Sequence, residues 1–435
     1  MKLSIPPQSF LVPFIIIILG FIVFANCLNN GFVWDDQSYI VSNSELQSPF
    51  SLTDIFSKNN IFNSQGQYRP LPNIYFYLLH TLYFNVPYHY HLIQLWVHFV
   101  NTFLVYLLFK RFLNKPLSLF LCLIFLIHPI QVESVSYIAS ADNPLFFLFG
   151  ISALLLSMSE RLNWIRLVSI SCLLLIALLT KETAVLFIFL ILLYRLIFRK
   201  KQKISLLLAT AIATIVYAFI RFGLAGVYPT LPNNGYQYIW TQPLNVRLLN
   251  IPAIWFYYIK NFFDPGNLGI YQIWVVKQLD FPHFYLPLIF DTVFLIISFS
   301  IAWFIASTNK DNLPTLFFFF IWLIVGLLFH SQLFPLDMTV ADRWMYLPIV
   351  GLLGIFGVSV QSLNIKSDNA KAVGALLAVI IIVLLSLRTI NRNNDWKTDF
   401  GLNLHDLHIN DITSQEEIFS HTVSPTPALW IAPIQ

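Results

Sequence analysis

Several runs of 16–22 residues carry no charged side chain, and this recurrence constrains the fold more than any single motif. At about 1.5 Å per residue, a helix of that length crosses the ~30 Å hydrocarbon layer of a bilayer. The first run, FLVPFIIIILGFIVFANCL, covers residues 10–28, and with Lys2 before it the run reads as an uncleaved signal-anchor. With 57% of its residues apolar and only 11% charged, a chain of 435 residues is far too hydrophobic for a soluble domain. The expectation is an all-α, polytopic transmembrane helix bundle, one membrane domain with extramembrane loops.

About eleven spans are expected, at 10–28, 91–109, 117–130, 143–158, 164–180, 183–198, 205–221, 284–306, 314–330, 345–361 and 372–389. The run 117–130 is short, which suits a tilted span or a re-entrant turn. Segment 247–263 is interrupted by Pro252 and carries Arg247 and Lys260, so it is expected to lie in the interface without crossing. Lysines and arginines in short loops mark the cytoplasmic side. With the N-terminus inside, Lys110, Arg111, Lys115, Arg161, Arg166, Arg195, Arg199, Lys200, Lys201, Lys203, Lys310, Lys366 and Lys371 all fall inside, and the C-terminus falls outside. The pI near 8.8 thus reflects membrane orientation, and no nucleic-acid partner is expected.

The long loops lie outside: 29–90, 222–283 and the tail. SLTDIF and YRPLPNIYFYLLH in the first of them are expected as short interfacial helices. The domain reading is a membrane domain over 1–390 and an extracytoplasmic tail over 391–435. Cys27, Cys122 and Cys172 sit in apolar segments without disulfide or zinc spacing and read as buried small hydrophobes. His80, His98, His283 and His330 are isolated and are expected at the interface.

The acidic residues are one-sided. Inside loops hold only Glu160, Asp311 and Asp368, and the other carboxylates fall outside or at outer helix ends. A carboxylate at the bilayer centre costs about 2.5–3.5 kcal/mol on insertion scales, which keeps acids out of helix middles but does not choose a side. A functional site on the outer face would choose one.

Five charged motifs occupy that face. WDD ends in Asp35 and Asp36, which, being adjacent, point in different directions. One of them can face a substrate while the other holds the loop or a cation, or both can simply end the helix in solvent. Trp34 beside them suits an interfacial anchor or a ring on which a sugar stacks. In QYRPLP, Pro70 keeps the backbone at Arg69 extended and presents its guanidinium from a rigid turn, for phosphate or for snorkelling. HPIQVESVSYIASADNPL brings His128, Glu133 and Asp142 to a hairpin that has no need of them, and their spacing fits no usual zinc pattern. LLTKETAVL sets Lys181 and Glu182 between two apolar spans, where each charge needs water, a partner or a lipid headgroup. TVADRWMYLP starts a span with Asp342 and Arg343, either a helix-start ion pair or a phosphate fork.

The ordered set WDD, YRPL, HPIQVESV, KE and DRWMYLP resembles GT-C membrane glycosyltransferases, nearest to the transmembrane and TPR-repeat protein O-mannosyltransferases and their bacterial homologues, over roughly residues 10–405. The resemblance implies a GT-C-like fold, a polyprenyl-phosphate-linked sugar donor and an acidic base in the first outer loop, which maps onto Asp35 and Asp36. It also implies a donor-phosphate role for Arg343, although Trp344 stands where the family usually has Tyr. Ser140 stands where an Arg usually precedes the Asp, and the chain stops within about 40 residues of WKTD, where TPR repeats would begin, so it is either a member without TPR repeats or truncated.

The expectation is therefore an inverting glycosyltransferase moving a mannose-like or other hexose to a hydroxyl of a protein or glycan, outside the membrane. Asp35 and Asp36 are the candidate catalytic pair, with Arg343, Lys181 and Arg69 on the donor phosphate. Glu133, His128, Asp142, Glu182 and Trp34 are the candidate acceptor or sugar contacts. No cofactor is required, and a divalent Mg or Mn ion at the Asp pair stays open. The setting is a bacterial cytoplasmic membrane, or the ER membrane if the source is eukaryotic. A polytopic transporter and a catalytically idle membrane anchor or assembly protein are the alternatives.

Overall fold

The first apolar run forms helix α1 (Gln8–Phe24), which tightens into a 3₁₀ turn at Ala25–Asn29. The structure is a computed structural model that describes residues 8–49, 51–57, 67–199, 203–228, 239–270 and 272–409; Lys200, Lys201 and the tail beyond 409 lie outside the described residues. Helices dominate, and no strand occurs among the described residues. After the first outer loop come α2 (Pro70–Tyr83), α3 (Pro87–Phe109), α4 (Lys115–Ile127), the short α5 (Val132–Ser136), α6 (Asp142–Ser157), α7 (Trp164–Thr180), α8 (Val185–Phe198) and α9 (Lys203–Ala218). The second half comprises α10 (Ile251–Phe263), α11 (Leu286–Thr308), α12 (Leu313–Phe329), α13 (Pro348–Ser362), α14 (Asp368–Asp395) and α15 (Asp399–Ile409).

Local sequence sets the helix starts. Asn114, Asn163 and Ser367 cap α4, α7 and α14 by accepting the N–H of Leu117, Arg166 and Ala370. Proline occupies the first turn of α2, α3, α4, α10, α11, α12 and α13, where its missing N–H costs nothing.

Each of the eleven expected spans coincides with a helix. Among the described residues seven helices are long and apolar enough to cross alone, and α4 joins Pro129–Ser136 in a bent pair with a 51° break, as a re-entrant end would. Helices α7 and α13 are shorter apolar helices, and α8 has 14 residues, about 21 Å of helix. The molecule is an all-α, polytopic helical bundle. Contacts at the helix ends show its alternation. Asn114 meets Gln361, Arg199 meets Glu160 and Asn312 meets Ser362 at one end. The ends carrying Asp36, Ala139, Glu133, Arg343, Arg69 and Glu182 meet at the other.

Close helix approach depends on small residues. A Cβ on Gly351 would lie 2.6 Å from the backbone nitrogen of Leu323, so α13 can sit this near α12 only with glycine there. Polar side chains tie the bundle internally. The expected interfacial place of His98 is corrected: it is fully buried, donates from Nε2 to the Leu126 carbonyl at 2.9 Å, and takes the Tyr346 hydroxyl at Nδ1 at 2.8 Å. Tyr346 also accepts from Asn101, so a polar column crosses what the sequence shows only as apolar runs. His330 is likewise buried, stacked on Trp344. Cys27 and Cys122 are buried as expected, but Cys172 is exposed, on the outward face of α7.

The end of α14 reaches back to the start of the chain. Asn393 donates to the Val23 carbonyl and the Asn26 side chain and accepts from Ser136 at 2.6 Å. The helix runs straight through residue 390, and α15 follows after a short turn.

Candidate functional site

The two adjacent aspartates have different environments. Asp36 is fully buried, and its two carboxylate oxygens accept the backbone N–H groups of Val33 at 3.0 Å and Ala139 at 2.7 Å. It clamps the first outer loop to the hairpin after α4. Burial pushes its carboxyl well above the usual range. Asp35 is partly exposed, and its Oδ2 accepts the Tyr137 hydroxyl at 2.8 Å. Burial raises its carboxyl too, and the Tyr137 hydrogen bond and the Arg343 charge pull it part of the way back.

Arg343 pairs with Glu133 and not with its neighbour Asp342. Glu133 Oε1 takes Arg343 Nη1, and Oε2 takes the Arg343 backbone N–H at 2.9 Å. The guanidinium lies 5.7 Å from the Trp34 ring and 5.9 Å from the Trp344 ring. Asp337 stands 4.0 Å from Nη2, at the rim. Burial is the largest single influence and pulls against the charged guanidinium, but the charges of Glu133 and Asp337 and the hydrogen bond to Glu133 together outweigh it and keep Arg343 cationic. Asp342 turns away, accepts the Tyr257 hydroxyl at 2.7 Å, and is pushed up to about 8 by burial and by the charge of Glu133.

The remaining charges form a second cluster beside the first. Arg69 bridges Asp142 at 2.9 Å and Glu182 at 3.1 Å. Lys181 reaches Asp142 at 3.1 Å and the Asn143 side-chain oxygen at 2.7 Å. Arg221 reaches Glu182 at 3.4 Å. Three cations against two carboxylates leave a net positive patch. Burial lowers Lys181 to about 8, with Asp142 opposing and Arg69 and Arg343 adding to the fall. That dependence on Arg343 ties the two clusters together. Glu182 is raised by burial, but the charge of Arg69 and the Tyr68 N–H bring it below its ordinary value. Where Ser140 replaces an expected Arg, Arg69 and Lys181 supply the cations beside Asp142.

His128 stands apart. It is buried, stacks on Phe262 with ring centres 5.1 Å apart, donates from Nε2 to the Phe262 carbonyl and accepts the Ile130 N–H at Nδ1. Both ring nitrogens are spent, Nε2 joining the hairpin to α10 and Nδ1 capping the turn at Ile130. Asp35, Asp36, Glu133, Arg343 and Trp34 come together in one cluster, and Arg69, Lys181, Glu182 and Asp142 in the adjoining one.

Reading the sequence by charge missed Tyr137, Trp396 and Asp399. Trp34 stacks on Tyr137, and Tyr137 on Trp396, with ring centres 5.2 Å and 5.4 Å apart. The Trp34 N–H donates to Asp399 at 2.7 Å. The available signal was WKTD, whose Trp and Asp are these last two residues. Among the described residues no three His, Cys, Asp or Glu side chains converge, and Asp36 spends both oxygens on amides. The residues present do not fit a dedicated Mg or Mn cage, and no step below passes through one.

No family model matches the chain, and no solved structure matches it. Among curated proteins, it is 25% identical over 422 residues to Protein O-mannosyl-transferase F38B6.6 of Caenorhabditis elegans, covering 89% of this chain and 56% of that one. It is 23% identical over 437 residues to Protein O-mannosyl-transferase TMTC3 of Homo sapiens, covering 88% of this chain and 46% of that one. A shorter match, 29% over 177 residues and 38% of this chain, joins it to Protein O-mannosyl-transferase Tmtc1 of Drosophila melanogaster, 20% of which is covered. The chain thus spans about half the length of the first two. These relatives carry the name that the motif resemblance leads to.

Proposed function

We propose that this chain is an inverting membrane glycosyltransferase that moves a hexose, mannose in the first instance, from a polyprenyl-phosphate donor to a hydroxyl of a protein at the extracytoplasmic face. The observation that carries the reading is the pairing of a partly exposed carboxylate, Asp35, with a nearby guanidinium fixed by a buried acid, Arg343 on Glu133. The names of the relatives point to the same chemistry and to a protein acceptor.

In this reading Asp35 is the base. Only its Oδ2 takes a hydrogen bond among the described residues, and burial raises its carboxyl above the ordinary aspartate value, so it can hold a proton once it has taken one. The acceptor O–H gives its proton to Asp35 while the oxygen attacks the anomeric carbon. The bond from that carbon to the phosphate oxygen breaks on the opposite face, and polyprenyl phosphate leaves with the electron pair. No acid is needed, but fixed positive charge is, where the phosphate gains charge. Arg343 supplies it, with Lys181 and Arg69 from the adjoining cluster. Trp34, partly exposed beside Arg343, offers a flat face for the sugar. Glu133, Glu182 and Asp142 hold the cations in register. Asp36 holds the base loop, and His128 holds the hairpin against α10.

A groove of about 530 Å³ supports a polyprenyl donor. It is almost wholly apolar, runs between α11 and α13, and has Lys260 and Phe263 of α10 at its lining. The same helix gives Tyr257 to Asp342, next to Arg343, so the groove and the cation share a scaffold. A transporter would place ionisable groups near mid-membrane; here the clustered charges sit at one end of the bundle.

The test is to incubate the purified chain in detergent with radiolabelled polyprenyl-phosphate mannose and a Ser/Thr-rich peptide. Label should move to the peptide with inverted configuration and with release of polyprenyl phosphate. Absence of transfer from mannosyl and glucosyl donors alike would overturn the reading.

A further inference from the structure

The first outer loop is fastened to the segment that follows the last span. Asn30 donates its side-chain N–H to the Asn393 carbonyl at 3.0 Å, Gly31 donates its backbone N–H to the Lys397 carbonyl at 3.1 Å, and Trp34 donates its backbone N–H to Asp399 Oδ1 at 2.7 Å. These contacts join residues more than 360 positions apart, and they surround the residue immediately before Asp35.

Trp34 needs such support. Its φ is +53°, a left-handed conformation that a bulky side chain rarely adopts and that persists where the surroundings over-determine it. Three things determine it here. Its N–H is taken by Asp399, its ring is stacked on Tyr137, which stacks in turn on Trp396, and Asp36 closes the far side of the turn on the amides of Val33 and Ala139. If Trp34 relaxed to negative φ, the 34–35 peptide would turn and the Asp35 carboxylate would swing off the Tyr137 hydroxyl.

Asp399 is itself held. It opens α15, where Leu402 is buried, Asp406 takes the Ile270 N–H with both oxygens at 3.1 Å and 2.9 Å, and His405 donates to the Leu268 carbonyl at 3.0 Å. The helix bridges the segment around Leu268 and Ile270 and the first outer loop, and Asp399 is the point where it touches the loop that carries the base.

We propose that Asp399 is a positioning residue for the Asp35 carboxylate, acting through the backbone of Trp34. The proposal deepens the transfer reading and rests on Asp35 being the base. The segment after the last span is then part of the catalytic unit.

The experiment compares Asp399→Ala with Asp399→Asn in the purified full chain, reading three quantities. Without substrate, hydrogen exchange over residues 31–41 should speed up in the Ala variant and stay near wild type in the Asn variant, which keeps an accepting oxygen. With polyprenyl-phosphate mannose and peptide, kcat of the Ala variant should fall about ten- to a hundredfold with donor KM unchanged, the scale of a misplaced reacting group. The Asn variant should recover to within a few-fold, and Tm should stay put in both. A wild-type kcat and wild-type exchange in Asp399→Ala overturn the proposal, as does a fall in kcat that follows Tm in both variants. Should the wild-type protein transfer no sugar at all, the transfer reading fails, and the substrate-free exchange still decides whether Asp399 sets the loop.

Discussion

Glu133 holds Arg343 twice, once at the guanidinium and once at the backbone N–H, across 210 positions of sequence. The double grip fixes both where the cation sits and how its helix start is turned. Two roles follow for Arg343, and Arg343→Lys separates them. Lysine keeps the charge that Glu133 needs but loses the planar fork that two phosphate oxygens need. Turnover should drop about ten- to a thousandfold, the scale of losing one well-placed donor to developing charge, with little change in melting temperature. Steady-state transfer and thermal unfolding on the same preparation decide it; full turnover in the Lys variant would remove Arg343 from the phosphate.

Asp35→Asn and Asp36→Asn should fail in different ways. The Asp35 variant should fold, melt as wild type does and lose about 10²–10⁴-fold in kcat, the scale of a general base. The Asp36 variant keeps one accepting oxygen for two amides, so one buried N–H loses its partner at about 1–3 kcal/mol. Its signature is a lowered Tm. If Asp36→Asn melts normally and is the inactive one, the assignment of roles is reversed.

Much of the architecture is legible in the sequence. The uncharged runs located the helices, and the Lys and Arg loops gave the end of the bundle opposite the site. The five charged motifs do converge at one end. Their pairing could not be read, because a charge takes as partner whatever helix packing brings near. Arg343 had Asp342 beside it in sequence and found Glu133 in space. Tyr137 carries no motif of its own, and WKTD does not show which loop Asp399 meets; both partnerships come from α14 returning to α1. His98 was misplaced at the interface because a single histidine in an apolar run gives no sign of the Tyr346 hydroxyl waiting inside.

Transfer should depend on pH on the basic side through Lys181. It is charged below about 8 and neutral above, because burial lowers it. As pH rises through about 8, the phosphate patch loses one of its cations, so donor KM should rise. On the acid side, rate should fall once Asp35 is protonated, at a higher pH than for an ordinary aspartate, because burial raises its carboxyl. Lys181→Arg keeps its charge throughout and should abolish the basic limb while leaving the acid limb in place. A basic limb that survives in the Arg variant would assign it to another group.

The last prediction concerns the side of the membrane on which the site lies. Helix ends alternate, and Lys110, Arg111, Lys115, Arg161, Arg166, Lys310, Lys366 and Lys371 all lie at the end away from Asp35. Short loops rich in Lys and Arg stay in the cytoplasm. The end bearing Asp35, Arg343 and Asp399 is then expected to face out, where a translocated lipid-linked donor and a secreted acceptor would meet. A reporter that works only in the cytoplasm should be silent when fused after Gln435 and active when inserted between Arg161 and Leu162 or fused after Arg199. Because Trp396 and Asp399 touch the Asp35 loop, the segment that follows the last span and the site share a side. A signal from the Gln435 fusion with full-length protein in the membrane would therefore put the charged site in the cytoplasm and remove the case for an extracytoplasmic donor.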